Sequence, residues 1–200
     1  MKTEYIAHRI NTVNELLSLP VGVGVELDLR DEGKDLILQH DPFTGGEKFE
    51  TFLEHYGDRN TLILNIKSER IEARVLELVK KYNVQKYFFL DSSFPMIIQL
   101  IRMGEKNLAL RFSEYETLDT ILTLAGKVDW VWVDCFTKLP INSENYKILK
   151  DNGFKICLVS PELQGRQEDI LIYKEYLEKE NISFDAICTK IKNFPLWQKD

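Results

Sequence analysis

The chain alternates short apolar runs with stretches whose apolar residues recur every three or four positions. Runs rich in β-branched and aromatic residues fall at 4–8, 22–30, 61–67, 86–92, 108–113, 129–136, 155–160 and 185–190. Leu62-Ile63-Leu64-Asn65-Ile66 and Trp130-Val131-Trp132-Val133 show the composition expected of strands. Helical periodicity follows most of these runs. Residues 70–82 place Ile71, Val75, Leu78 and Val79 on one face; residues 95–103 do the same with Met96, Ile97, Leu100 and Ile101, and Gly104 provides a stop. Further helices are predicted over 117–125, 143–151 and 167–180, and shorter ones over 12–18 and 47–56.

Eight strand-like runs with intervening helices predict an α/β protein, either a (β/α)8 barrel or an open doubly wound sheet, since both produce the same alternation. At 200 residues a barrel must be compact, because that fold typically takes about 250. Its early helices would be short and its last helix reduced or absent. No low-complexity segment, repeat or linker interrupts the chain, so a single domain over 1–200 is expected. One segment departs from the alternation. Asp31-Glu32-Gly33-Lys34 has the composition of a tight turn and joins 22–30 to the run 35–39. The product is a β-hairpin that folds His40 back toward the end of the second strand.

Composition narrows the function classes. With 44% apolar and 29% charged residues the chain is ordinary for a globular protein. A net charge of −6 argues against general nucleic-acid binding, which needs clustered cations. No apolar run approaches the roughly 20 residues of a membrane-spanning helix, and Met1-Lys2-Thr3-Glu4 leads into a strand-like run rather than a secretory leader. Cys135, Cys157 and Cys188 lie far apart in apolar runs, without a C-x-x-C pair. Buried free thiols in a reducing cytoplasm are expected, not a cysteine metal site.

The polar residues at strand ends carry the chemistry. Side chains alternate along a strand, so Glu26 and Asp28 share one face while Val25, Leu27 and Leu29 share the other. Two carboxylates buried together need a compensating cation, and Mg²⁺ or Ca²⁺, with Mn²⁺ as a further choice, suits carboxylate oxygens. The alternative is a solvated hairpin face, with Arg30 and Lys34 as partners. His8 and His40 both adjoin this pair, and imidazoles titrating near neutrality suit an acid/base couple. His55 lies in a helical pattern and is expected to be structural or exposed. Arg9 and Lys67 are candidate cations for an anionic substrate, although Lys67 has Glu69 and Glu26 as possible ion-pair partners. Asp91, Arg111, Asp134, Glu162 and Lys190 are weaker leads near strand ends; Trp130 and Trp132 share parity and are expected to pack in the core. The whole set suits phosphodiester chemistry.

In order, His8-Arg9, Glu26-x-Asp28, His40-Asp41 and Asn65-x-Lys67 resemble the motifs of the glycerophosphodiester phosphodiesterase family, within the phosphatidylinositol phospholipase C-like phosphodiesterases. Asp91-Ser92-Ser93-Phe94 is similar to the end of the family's fourth strand, and Phe184-Asp185-Ala186-Ile187-Cys188-Thr189 to its last-strand segment, so the likeness runs over nearly the whole chain. The resemblance implies a PLC-like (β/α)8 barrel with its site at the C-terminal mouth. It implies a metal-dependent enzyme that cleaves a small phosphodiester of lipid metabolism. His8 and His40 would be the acid/base pair, Arg9 and Lys67 would hold the phosphate, and Glu26 and Asp28 would ligate the metal. Attack on phosphorus by water gives hydrolysis, and attack by a neighbouring substrate hydroxyl gives a cyclic phosphate. Four departures stand out. Ile10 replaces the glycine that usually follows His-Arg, Asn65 replaces an acidic third metal ligand, Lys190 replaces the last-strand aspartate, and the stretch from His40 to the third strand is short. Asn65 and Ile10 leave a second expectation: a catalytically weak relative that binds a phosphorylated ligand or protein partner.

Overall fold

A computed structural model describes residues 2–198. In chain order its elements are β1 (Glu4–Ala7), α1 (Val13–Ser18), β2 (Gly24–Glu32), β3 (Asp35–Leu38), β4 (Glu47–Lys48), α2 (Phe49–Glu54), β5 (Leu62–Ile66), α3 (Glu72–Lys81), β6 (Tyr87–Leu90) and α4 (Phe94–Arg102). There follow β7 (Ala109–Phe112), α5 (Leu118–Thr123), β8 (Trp130–Val133), α6 (Ser143–Asp151), β9 (Lys155–Val159), α7 (Asp169–Lys179), β10 (Ala186–Thr189) and α8 (Phe194–Trp197). Two 3₁₀ turns, Pro161–Gln164 and Ile191–Asn193, were not predicted by the periodicity. Every strand and helix read from the apolar pattern is present. The fold is α/β with mostly parallel strand pairs, and its last helix is reduced to four residues.

The chain forms two compact units. One comprises Ala7–Gly104. In it, β2 pairs in parallel with β5, in the register Val25↔Leu62 to Leu29↔Ile66, and β5 pairs in parallel with β6. From Leu29 onward β2 pairs antiparallel with β3, closing the predicted hairpin through Gly33 at φ 63°. Leu27, Leu29, Leu62, Leu64, Phe49, Phe52, Val75 and Phe88 form its core, each contributing roughly 1.5–3 kcal/mol on burial. Thr12 and Glu15 cap the start of α1 reciprocally. Residues 47 and 48, expected to begin a helix, instead form β4 against the end of β3. Gly46 permits this, because a side chain there would collide with the Leu38 carbonyl. The helix then starts at Phe49.

The other unit holds residues up to Ile6 and those from Glu105 onward. There β10, β9, β8 and β7 pair successively in parallel. The Glu4 amide enters this layer by donating to the Asp185 carbonyl at 2.9 Å. Ile6, Val131, Val133, Ile156, Leu158 and Ile170 are its core, and Trp130 and Trp132 are buried with them. Cys135, Cys157 and Cys188 are buried free thiols, as expected. Among the described residues no helix is long and apolar enough to cross a membrane.

Candidate active site

The seven residues singled out by the sequence, His8, Arg9, Glu26, Asp28, His40, Asn65 and Lys67, all lie in the unit Ala7–Gly104. Both faces of β2 are buried from Gly24 to Leu29. Glu26 and Asp28 are therefore inside, 1% and 0% exposed, and the solvated-hairpin alternative is excluded. Arg30 and Lys34 do not serve as their partners: Lys34 is exposed in the turn, and the Arg30 guanidinium is spent on backbone carbonyls.

The segment after β1 wraps onto these carboxylates. Arg9 takes a left-handed conformation, φ 56°, which turns its amide onto Glu26 Oε2 at 2.7 Å. Such a conformation in a non-glycine residue costs of order 1–3 kcal/mol and persists where surroundings over-determine it. The next amide, of Ile10, donates to the Glu26 carbonyl at 2.9 Å, and the Ile10 side chain is buried. The departure from glycine at this position is thus absorbed by the core, with the left-handed turn one residue earlier. The Arg9 guanidinium lies 3.6 Å from Asp28 Oδ2, and His8 Nε2 lies 3.8 Å from Glu26 Oε2.

Strand register sets the rest. Asp28 is the register partner of Asn65 on β5. Asn65 donates through Nδ2 to Glu26 Oε1 at 2.8 Å. Lys67 reaches back with Nζ 3.8 Å from Asp28 Oδ1 and 3.2 Å from Asp91 Oδ2. Its partners are thus Asp28 and Asp91, whereas Glu69 accepts the Ser93 hydroxyl at 2.6 Å. Asp91, another left-handed residue at φ 59°, immediately follows β6. Burial, then the charge of Asp28, raises the Glu26 carboxyl from 4.5 to about 7 against the opposing effect of Asn65, the Arg9 amide and Lys67. Asp28 Oδ1 and Asn65 Oδ1 are buried and accept no hydrogen bond from any described residue.

His40 is delivered by the hairpin. The Gln39 amide donates to the Asp28 carbonyl at 3.0 Å, which returns the His40 backbone to β2. The His40 ring places Nδ1 2.8 Å from Asp41 Oδ1. A carboxylate only accepts, so Nδ1 carries the proton and Nε2 is left to exchange one. The hydrogen bond from His40 holds Asp41 below its ordinary value, with help from the charges of His40, Arg9 and Arg30 against desolvation.

Asn11 escaped the sequence reading, and Arg30 entered it only as a partner of the acid pair. Asn11 grips Asp28 twice, donating from Nδ2 to Oδ2 at 2.9 Å and accepting from the Asp28 amide at 2.9 Å. Arg30 spans two backbone segments, as described below. No motif marks either residue. Among the weaker leads, Asp91 joins the cluster through Lys67. Arg111, Asp134, Glu162 and Lys190 belong to the other unit, where Asp134 is held by Arg111, Gln164 and the Cys135 amide. Glu162 is held by Ser160, Thr189 and the Lys190 amide. His55 is exposed at the end of α2, its Nδ1 2.9 Å from the Thr51 carbonyl.

The fold is that of known phosphodiesterase structures. A glycerophosphodiester phosphodiesterase from Agrobacterium tumefaciens str. C58 superposes with a TM-score of 0.68 at 16% identity, over 98% of this chain and 99% of that one. A second structure from the same strain, named provisionally as a glycerophosphoryl diester phosphodiesterase, gives a TM-score of 0.67 at 12% identity, over 94% of each chain. At such identities the likeness is one of fold. No protein-family model and no curated protein matches the chain.

Proposed function

We propose that this chain is a metal-dependent phosphodiesterase that cleaves a small glycerophosphodiester-like substrate by histidine acid–base catalysis. The observation that supports this reading best is the pair of buried carboxylates on β2. Around them Asp28 Oδ1 and Asn65 Oδ1 lack hydrogen-bond donors, and a histidine, an arginine and a lysine converge. Hard oxygen donors of this kind fit Mg²⁺, Ca²⁺ or Mn²⁺, and Glu26, Asp28 and Asn65 would hold the ion. Such an ion, when bound, neutralises the buried carboxylates and draws charge from a phosphoryl oxygen.

The chain's own groups supply the remainder. Arg9 and Lys67 bind the phosphate oxygens and offset the negative charge that gathers there as a new P–O bond forms. One of His8 and His40 takes the proton of the attacking hydroxyl, and the other returns a proton to the leaving alkoxide. The Asp41 contact orients His40 for this exchange. Attack by a substrate hydroxyl would yield a cyclic phosphate, and attack by water a monoester. The fold likeness supports closure of the strands into a PLC-like (β/α)8 barrel acting as one domain, and the three free thiols support a cytoplasmic location. One observation favours the alternative, a weak relative that binds a phosphorylated ligand or partner: Asn65 already donates to Glu26, which steadies the site without added charge.

Turnover of bis(p-nitrophenyl) phosphate and of glycerophosphodiesters with Mg²⁺, Ca²⁺ or Mn²⁺ tests the proposal. His8→Ala and His40→Ala should each abolish it while the fold survives. Full activity in both variants defeats the acid–base assignment. Calorimetry should show cation binding lost in the Glu26→Gln/Asp28→Asn double variant, and phosphorus NMR separates cyclisation from hydrolysis.

A further inference from the structure

We infer that Arg30 is a positioning residue that holds His40 and Lys67 in their working geometry by clamping the backbone of both. The inference rests on the phosphodiesterase reading for its catalytic consequence, and on geometry for the clamp itself.

The backbone ladders around β2 stop just short of both residues. On one side the last bond runs from the Lys67 amide to the Leu29 carbonyl at 2.9 Å. On the other it runs from the Gln39 amide to the Asp28 carbonyl at 3.0 Å. The next carbonyl on each side, that of Lys67 and that of His40, has no strand to bond. Arg30 takes both. Its Nη1 donates to the Lys67 carbonyl at 2.9 Å, while Nε and Nη2 donate to the His40 carbonyl at 3.1 and 2.9 Å. A planar guanidinium projects donors along two edges at once, and so spans two segments in a fixed geometry. A lysine ammonium carries the same charge but is a point donor on a flexible stem and cannot reproduce the span. The two clamped residues carry different tasks, proton transfer and phosphate binding. One side chain therefore sets the spacing between an imidazole and an ammonium that are 27 positions apart in the chain.

The test compares Arg30→Met and Arg30→Lys with the parent. Both should still unfold cooperatively in urea, at a midpoint lowered by the loss of the part-buried hydrogen bonds to the His40 and Lys67 carbonyls. Both should lower kcat for bis(p-nitrophenyl) phosphate by about 100-fold, the effect of small misplacements of reacting groups, with KM little changed. Arg30→Lys should lie near Arg30→Met, because geometry and not charge is lost. Amide hydrogen exchange should accelerate together at 39–41 and 67–69. If both variants keep parental kcat while His40→Ala abolishes it, the clamp is refuted and the phosphodiesterase reading stands. If the parent shows no turnover with any cation, that reading falls, and exchange alone decides the clamp: faster exchange in both segments supports it, and parental rates overturn it. If Arg30→Met does not fold, the same criteria apply to Arg30→Lys.

Discussion

Glu26 offers a direct way to measure what burying this acidic pair does to the chain. In the folded state burial and the Asp28 charge raise its carboxyl from 4.5 to about 7. Below the lower value both folded and unfolded chains carry the proton, and above the higher value neither does. Between them the folded chain keeps a proton that the unfolded chain has released. Stability therefore falls as pH rises through this window and levels off beyond it. At about 1.4 kcal/mol per pH unit the loss comes to about 3 kcal/mol by pH 8. Glu26→Gln removes the titration at nearly constant volume, and the Asn65 amide can turn so that its unpaired oxygen accepts from the new side chain. Urea unfolding in the presence of a chelator, at pH 5, 6, 7 and 8, reads the difference. The parent should lose about 2–3 kcal/mol relative to the variant between pH 5 and pH 8. Ca²⁺ or Mg²⁺ at pH 8 should restore the parent and leave the variant unchanged. A gap between parent and variant that is the same at pH 5 and pH 8 would refute the argument that desolvation dominates here.

Two further predictions concern the scaffold of the site. Asn11→Ala removes both side-chain bonds to Asp28, so urea unfolding should show a loss of about 1–3 kcal/mol, with weaker cation binding by calorimetry. Gly46→Ala drives a methyl group into the Leu38 carbonyl; a loss of about 1–3 kcal/mol is expected from overpacking, with faster amide exchange at 37–40.

The elements were legible along the chain because their causes are local. Apolar periods of two and of three to four residues reflect which faces of strands and helices meet water. The observed strand and helix ends therefore follow the predicted ones closely. The hairpin at Gly33 was legible for the same reason, and with it the return of His40. The acid pair, the two histidines and the two cations were legible as residue types at strand ends. The convergence of His8, Arg9 and Lys67 on the acid pair was not, because it depends on register. Asp28 faces Asn65 only because Val25 pairs with Leu62, and no local pattern encodes that choice. The burial of both faces of β2 likewise turned a pair compatible with a solvated edge into an interior one. Asn11 and Arg30 mark the limit most clearly. No motif marks either one; Arg30 acquires its task from carbonyls beyond the last rung of a ladder, and Asn11 from the amide and carboxylate of Asp28. Unpaired amides and carbonyls are created by the tertiary arrangement of strands, so the side chains that satisfy them become identifiable only once the strands are in place.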